Sequence, residues 1–259
     1  MKLSAAFALL TDLRYAIQAA LWPTLKALWT QPSLLFRPQL ISRQFMAHVW
    51  TAFGSSVDEG GRIVKQGLIT PNAQGVVLDI GAGHGHTISY LDRAKVTKYV
   101  ALEPNQLMHN EIRKAANIAG FSEEAGTLII LPYGAEDTHS IISALEKPEL
   151  VDTLISILTL CSIPSPEASI QGLVDQVVKP GGQFLFYEHV LSPRKDVAWW
   201  QRFWTPVWKS AFDGCRLDRP TDSMVDKMDV WSSKQLWGKE GEDEENLWWH
   251  SVGRFVKKE

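Results

Sequence analysis

Glycines follow one short apolar segment of this chain, and an acidic residue ends the next apolar segment. The first segment runs Val-Val-Leu-Asp-Ile-Gly-Ala-Gly-His-Gly over residues 76–85, and the second, Tyr-Val-Ala-Leu-Glu, ends in Glu103. Because glycine has no Cβ, Gly81, Gly83 and Gly85 would let backbone amides approach a ligand closely. A carboxylate that ends a second strand can accept hydrogen bonds from both ribose hydroxyls. These residue types in this order predict a nucleoside-binding turn at one edge of a parallel sheet.

The spacing of these residues favours one cofactor over another. In the dinucleotide fingerprint Gly-x-Gly-x-x-Gly the third glycine comes one residue later than Gly85 does here. Asp79 stands two residues before the first glycine, where its charge would repel a pyrophosphate and attract an ammonium group. A helix beginning near His84 would point its positive end at the same place. The sequence therefore favours S-adenosylmethionine, whose methionine part carries an ammonium group, over a nicotinamide cofactor.

Apolar segments and helical patterns alternate through the middle of the chain. Strands are predicted at 76–80, 98–102, 127–131, 151–158 and 183–188, and helices at 84–93, 104–119, 137–145 and 165–178. This alternation predicts a mostly parallel sheet with helices on both faces. Ligands of such sheets bind beyond the carboxyl ends of the strands, so the residues after each strand should line one cleft. Two further strands are expected near the C-terminus, on either side of the acidic run 240–245.

Several residues after the later strands are candidates for chemistry. In the loop 134–137 a backbone amide and a carboxylate would face the adenine edge. His189 is the candidate general base, because an imidazole takes up a proton near neutral pH; the alternative is a structural hydrogen bond. Glu188 would orient His189 or bind a cationic amine, and otherwise form a cap or salt bridge. Cys161 is expected to be a small packing residue.

The N-terminal part of the chain has the periodicity of an amphipathic helix. Apolar residues recur at three- and four-residue intervals over 3–28, with an interruption expected near Pro23, and two further helical pieces are expected over 39–67. We therefore assign residues 1–70 to a helical extension and residues 71–259 to the cofactor-binding domain.

Charge gives this extension two alternative roles. Its first fifty residues hold the basic residues Lys2, Arg14, Lys26, Arg37 and Arg43 against the acidic Asp12 alone, and Trp22 and Trp29 lie nearby. The helix could therefore lie on a membrane surface. The alternative, which we favour, is a cap that covers the cofactor cleft. An exposed apolar face on this helix would also favour a homodimer.

Composition excludes several classes of function. The chain has 259 residues and a net charge of -3, which argues against nucleic-acid binding. Its two cysteines have no paired spacing, which argues against a disulfide framework or a zinc site and indicates a reducing, cytoplasmic compartment. Six of the 11 tryptophans crowd residues 199–208 and 248–249, where they would either pack a core or line an apolar or cationic substrate.

Four motifs together resemble the class I S-adenosylmethionine-dependent methyltransferases. They are Leu-Asp-Ile-Gly-Ala-Gly-His-Gly at 78–85, Glu-Pro at 103–104, Gly-Ala-Glu-Asp at 134–137 and Lys-Pro-Gly-Gly at 179–182. The resemblance implies a Rossmann-like α/β fold with a seven-stranded, mostly parallel sheet, helices on both faces and an N-terminal helical cap. It implies that the methionine part is held by Asp79, Gly81, Gly83 and Gly85, and the ribose by Glu103. It also implies that Asn105 and Met108 flank the adenine, that Glu136 and Asp137 lie near its amino edge, and that Leu160 borders the sulfonium. The remaining cofactor-binding residues in this set are Ala82, Pro104 and Ala135.

A narrower likeness concerns the acceptor. The segments 159–163, 186–190, 206–208 and 212–215 resemble animal methyltransferase-like proteins that methylate small thiols and carry an N-terminal membrane-associating helix. The expected function is methyl transfer to an oxygen, nitrogen or sulfur of a small apolar or aromatic molecule. Two alternatives remain: a cofactor-binding protein that does not methylate, and a methyltransferase held at a membrane surface.

Overall fold

A seven-stranded sheet forms the centre of the protein in a computed structural model that describes residues 1–145 and 150–259. Its strands are β1 (Gly75–Ile80), β2 (Val96–Leu102), β3 (Leu128–Leu131), β4 (Val151–Ile157), β5 (Val178–His189), β6 (Trp231–Gly238) and β7 (His250–Lys257). They lie in the order β3-β2-β1-β4-β5-β7-β6. The first five strands are parallel, and β7 pairs antiparallel with both β5 and β6.

Both faces of the central strands β1, β2, β4 and β5 are largely buried, which explains their nearly continuous apolar runs, whereas the edge strand β6 is mostly exposed. Successive side chains point to opposite faces of a strand. In β1, accordingly, Leu78 and Ile80 belong to one apolar cluster, and Val77 belongs to another on the opposite face. The predicted strands and the mostly parallel sheet are confirmed.

Nine α-helices surround the sheet among the described residues. They are α1 (Leu3–Ala6), α2 (Leu9–Thr30), α3 (Pro38–Gly60), α4 (Arg62–Asn72), α5 (His109–Ile118), α6 (Thr138–Leu145), α7 (Pro166–Gln176), α8 (Lys195–Ala211) and α9 (Thr221–Asp226). Short 3₁₀ helices lie at Pro32–Phe36, His86–Tyr90 and Gln106–Met108.

The predicted α-helix over residues 84–93 was wrong. Only the five-residue 3₁₀ helix His86–Tyr90 follows β1, and β2 already begins at Val96. Gly85 has a positive φ of 79°, which delays the start of any helix. A helix dipole at His84 therefore does not contribute to the glycine turn.

The N-terminal helix is not interrupted at Pro23. α2 continues through that residue, and the interruption falls at residues 7–8, between α1 and α2. Buried Leu9, Ala16 and Ala20 of α2 share an apolar cluster with Val49 of α3. This packing offsets the hydrogen bond that a proline removes.

Candidate active site

The glycine turn after β1 has a backbone that other residues would strain. Gly81, Gly83 and Gly85 have φ angles of 66°, 56° and 79°, in the left-handed region. A Cβ on Gly81 would also lie 2.4 Å from the side chain of Thr159, which follows β4. The turn is thus held against the end of the neighbouring strand, and glycine is the residue that its geometry requires.

Glu103 connects the ends of β1 and β2. Its Oε2 accepts a hydrogen bond of 2.9 Å from the amide of Gly83, and its Oε1 accepts one of 2.7 Å from the amide of Asn105. The side chain is buried, and burial raises the pKa of its carboxyl to about 7. The structure thus places Glu103 beside the glycine turn, where the sequence analysis expected the ribose.

Asp79 lies beneath the glycine turn rather than in an open cleft. Its side chain is fully buried, and Oδ2 accepts a hydrogen bond of 2.6 Å from the Tyr99 hydroxyl. Burial raises the pKa of the Asp79 carboxyl to about 6, while hydrogen bonds from Tyr99 and Thr87 oppose this shift. Direct contact between Asp79 and an ammonium group stays a prediction; in this structure Asp79 fixes the start of the 3₁₀ helix through Thr87.

Helix α3 covers the glycine turn; a role of the whole N-terminal extension as a cap over the cofactor stays a prediction. A Cβ on Gly83 would lie 2.6 Å from Nε1 of Trp50, so the indole rests directly on the turn. Arg43 donates a hydrogen bond of 3.4 Å to the Pro104 carbonyl, and its own carbonyl accepts one of 2.9 Å from Asn105 Nδ2. Sequence reasoning missed Trp50 and Arg43, because neither belongs to a motif and their contacts form only through the tertiary fold.

The residue types fit an adenosyl cofactor, but the cap occupies its space. The cavity between Trp50, Gly81 and Leu158 measures about 40 Å³. Sites for ligands of drug size typically measure roughly 300 Å³ or more. A ligand of that size therefore does not fit between Trp50 and the turn in this arrangement of α3. A larger opening of about 1100 Å³ lies between α3 and α5, on the side of His84.

The other predicted cofactor residues divide into two groups. The first group is buried or partly buried near the carboxyl ends of the strands. It consists of Ala82, Pro104, Asn105, Met108, Ala135 and Leu160. Glu136 and Asp137 are exposed, and Asp137 accepts a hydrogen bond from the Ser140 amide at the start of α6. Contact of Glu136 and Asp137 with adenine stays a prediction.

Glu188 organises the loop that follows β4. Its carboxylate accepts hydrogen bonds from the Ser156 hydroxyl at 2.6 Å and from the amides of Thr159 and Leu160 at 3.0 and 3.1 Å. The side chain is completely buried, and burial raises the pKa of its carboxyl to about 8. These contacts make Glu188 a positioning residue, and a direct part in catalysis stays a prediction.

His189 is buried at the end of β5. Its Nε2 lies 3.4 Å from Cys215 Sγ, and its ring packs edge-on against Trp248. Arg219 holds the neighbouring loop by donating to the Leu160 and Cys161 carbonyls at 3.1 and 2.8 Å. The role of His189 as a general base stays a prediction.

The tryptophan-rich segment mainly packs a core. Trp204 and Trp208 of α8 are buried with residues of α2 and α3, and Trp204 Nε1 donates a hydrogen bond of 2.8 Å to the Ala6 carbonyl. Trp199 and Phe203, in contrast, are more than half exposed. The part of the segment that faces the protein therefore anchors the N-terminal helices.

The strand order, the antiparallel β7 and the glycine turn at β1 define the class I methyltransferase fold. The family model described as a methyltransferase domain matches residues 61–234, which is most of the chain. The chain belongs to this family.

Three curated relatives show what the chain is similar to. Thiol S-methyltransferase TMT1B of Rattus norvegicus is 42% identical over 153 residues, 58% of each chain. The TMT1B protein of Homo sapiens is 30% identical over 159 residues, 60% of each chain. A fatty-acid O-methyltransferase of Mycolicibacterium smegmatis is 30% identical over 127 residues, 49% of this chain and 40% of its own. The chain thus spans no more than about three fifths of the length of these relatives.

Solved structures agree with the fold. The CurJ carbon methyltransferase has a TM-score of 0.55 at 16% identity and covers 99% of this chain and 69% of its own. The N-methyltransferase NodS of Bradyrhizobium japonicum, in complex with S-adenosylhomocysteine, has a TM-score of 0.52 at 10% identity and covers 78% of this chain and 87% of its own. At these identities the likeness extends to the fold alone.

Proposed function

We propose that this protein transfers a methyl group from S-adenosylmethionine to a small-molecule thiol. One observation supports this cofactor above the others. At the carboxyl edge of the sheet, Glu103 accepts a hydrogen bond from the Gly83 amide of the glycine turn after β1. The methionine part would lie against Gly81, Gly83 and Gly85, and Glu103 would bind the ribose. Residues 1–70 would act as the cap and residues 71–259 as the cofactor-binding domain.

Similarity to two proteins named thiol S-methyltransferase supports the acceptor class. The fatty-acid O-methyltransferase supports a carboxylate as the alternative acceptor. A thiol also suits a buried site physically, because a weakly polar SH group loses little on desolvation.

The residues of the chain would place the acceptor rather than activate the methyl group. Bound S-adenosylmethionine supplies an electrophilic methyl carbon on its sulfonium. Glu188 fixes the amides of Thr159 and Leu160, so the loop after β4 presents a rigid edge toward the expected methyl position. The cap, with Trp50 on the glycine turn, would exclude water. Alignment of two reactants in this way can supply much of the rate enhancement of a displacement reaction.

Calorimetric titration with S-adenosylmethionine and S-adenosylhomocysteine, followed by product analysis with thiols, fatty acids, amines and phenols, tests the function. We expect both ligands to bind and only thiols to give a methylated product. Without a protein base, the rate should rise with pH as the acceptor thiol ionises near its pKa of about 8.5. If only fatty acids are methylated, the acceptor is a carboxylate and the proposed thiol acceptor is wrong. Binding without any turnover would favour a protein that does not methylate, and an absence of binding would contradict the cofactor site.

An exposed apolar surface on the N-terminal helices favours a second role at a membrane. Trp22, Trp29 and Phe36 are 74%, 87% and 89% exposed, and Leu21 and Leu25 of α2 are also exposed. Lys2, Arg14, Lys26 and Arg37 lie in the same segment. Apolar and basic residues together are typical of helices that lie on an anionic bilayer. No helix within residues 1–145 and 150–259 is long and apolar enough to cross a membrane.

Sedimentation with anionic liposomes tests this membrane contact. We expect that changing Trp22, Trp29 and Phe36 together to serine lowers liposome binding at least tenfold. A matched control changes Leu236 and Trp237 of β6, which are 43% and 44% exposed, to serine and leaves binding unchanged. If the N-terminal variant instead dissociates a dimer while liposome binding is retained, the surface is a contact between two copies of this chain and the membrane role is wrong.

A further inference from the structure

Two cysteines and a histidine meet in the interior at the carboxyl end of the sheet. Cys161 follows β4, His189 ends β5, and Cys215 lies in the turn after α8. Their ligating atoms all lie within 4.8 Å of one another, and all three side chains are buried. The three segments are distant in sequence, which is why the spacing of the cysteines alone argued against a metal site.

We propose that Cys161, His189 and Cys215 form a zinc-binding site. Zinc binds cysteine sulfur at about 2.3 Å and histidine nitrogen at about 2.0–2.1 Å in a tetrahedral arrangement, so neighbouring ligand atoms are roughly 3.5–3.8 Å apart. The separation of 3.4 Å between His189 Nε2 and Cys215 Sγ is close to that edge length.

The histidine ring provides an independent observation. Nδ1 of His189 is buried and has no hydrogen-bond partner among the residues that the structure describes. Nε2 lies 3.4 Å from the Cys215 thiol, and the ring also contacts the Cys161 thiol; a thiol is a weak donor and a weak acceptor. A buried nitrogen without a strong partner is costly, and a metal ion on Nε2 would give that nitrogen one, while Nδ1 would carry the ring proton.

The ligand chemistry selects the ion. Thiolate and imidazole are the ligands that zinc and copper(I) prefer, and they suit magnesium or calcium poorly. Two thiolates neutralise a divalent ion, so a buried zinc would leave no net charge among the ion and these two ligands. Copper(I) with the same two thiolates would leave a buried negative charge, which is costly without a partner.

The proposed site has three protein ligands among the described residues, so a tetrahedral zinc ion there would take its fourth ligand from outside this set. Glu188 is the neighbouring acidic side chain, but its carboxylate already accepts hydrogen bonds from Ser156, Thr159 and Leu160. Three protein ligands with an exchangeable fourth are typical of zinc sites that take part in catalysis rather than in structure alone.

Metal analysis of the full chain tests the site without any cofactor or acceptor. The protein is purified anaerobically under reducing conditions, stripped with a chelator and titrated with zinc in competition with a chromophoric chelator. We expect one zinc ion per chain, and we expect Cys161→Ser, Cys215→Ser and His189→Asn each to weaken zinc binding at least 100-fold. His139→Asn, which changes an exposed histidine of α6, is the matched control and should bind zinc as the unchanged protein does.

Cobalt(II) loading of the unchanged protein keeps the test valid if a variant fails to fold. Thiolate-to-cobalt charge-transfer absorption is expected in the near ultraviolet, together with the visible bands of a tetrahedral ion. The proposal is overturned if the reduced protein binds no zinc, if folded variants retain its affinity, or if cobalt shows no thiolate absorption. Formation of a Cys161–Cys215 disulfide in a protein that binds no metal would identify a redox pair instead. None of these results depends on methyl transfer, so they are separate from a failure of the proposed function.

Discussion

Replacing Glu103 with glutamine should weaken S-adenosylmethionine binding by roughly 100-fold, about 2.7 kcal/mol. The carboxylate accepts hydrogen bonds from the Gly83 and Asn105 amides, and a glutamine offers only one acceptor oxygen in the same place. The variant would lose the ionised acceptor proposed for the ribose hydroxyls, and its NH₂ group would face a backbone amide donor. Isothermal titration calorimetry measures the loss. Glu240→Gln, in an exposed acidic loop, is the control and should leave the affinity unchanged.

The same substitution should change how the free energy of unfolding depends on pH. Burial raises the pKa of the Glu103 carboxyl from 4.5 to about 7, so the folded protein holds this proton more tightly than the unfolded chain does. The stability that Glu103 contributes is therefore complete below pH 4.5 and is lost as the pH rises through 7. A shift of this size corresponds to a loss of up to about 3 kcal/mol.

Urea unfolding at pH 5 and pH 8 measures this effect in the absence of cofactor. Between these two values the stability of the unchanged protein should fall relative to that of Glu103→Gln, which has no proton to lose at this position. Parallel pH profiles for the two proteins would show that Glu103 ionises normally and is less buried in solution than in this structure. Glu240→Gln should follow the profile of the unchanged protein.

Local patterns in the sequence were sufficient to predict the sheet and the glycine turn at its carboxyl edge. Strands buried on both faces are apolar runs that can be located without tertiary information, and Gly81–Gly85 together with Glu103 has a specific order. The helix after the turn was predicted wrongly because its apolar periodicity was given more weight than the left-handed Gly85. The interruption of α2 was misplaced because packing on α3 outweighs the effect of Pro23.

Contacts between distant segments could not be predicted in this way. Trp50 meets Gly83 only because α3 folds back across the sheet, and Cys161 meets Cys215 only because α8 returns its C-terminal turn to the end of β4. Neither contact leaves a periodicity or a short motif in the sequence. Residue types predicted the glycine turn and Glu103, whereas the contact of α3 with this turn and the cysteine–histidine cluster required the fold.

Contact between the cap and the glycine turn predicts a large coupling between Trp50 and Gly83. Gly83→Ala places a Cβ 2.6 Å from the Trp50 indole at a φ of 56°, so it should cost the strain of a left-handed alanine and a steric conflict as well. The strain is worth about 1–2 kcal/mol, and overpacking adds about 1–3 kcal/mol. Gly126→Ala is a matched control, because Gly126 has a φ of 66° and nothing within 4 Å of its Cβ position. Gly126→Ala should therefore lower the free energy of unfolding by the backbone strain alone.

The double variant Gly83→Ala with Trp50→Ala separates the steric part from the strain. Removing the indole should recover at least about 1 kcal/mol of the unfolding free energy lost in Gly83→Ala, after correction for Trp50→Ala alone. Trp50→Ala should also increase the association rate of S-adenosylmethionine several-fold in stopped-flow measurements, because the cap must otherwise leave the turn first. If Gly83→Ala costs no more than Gly126→Ala and the double variant recovers nothing, the indole does not rest on the turn in solution and the cofactor site is already open.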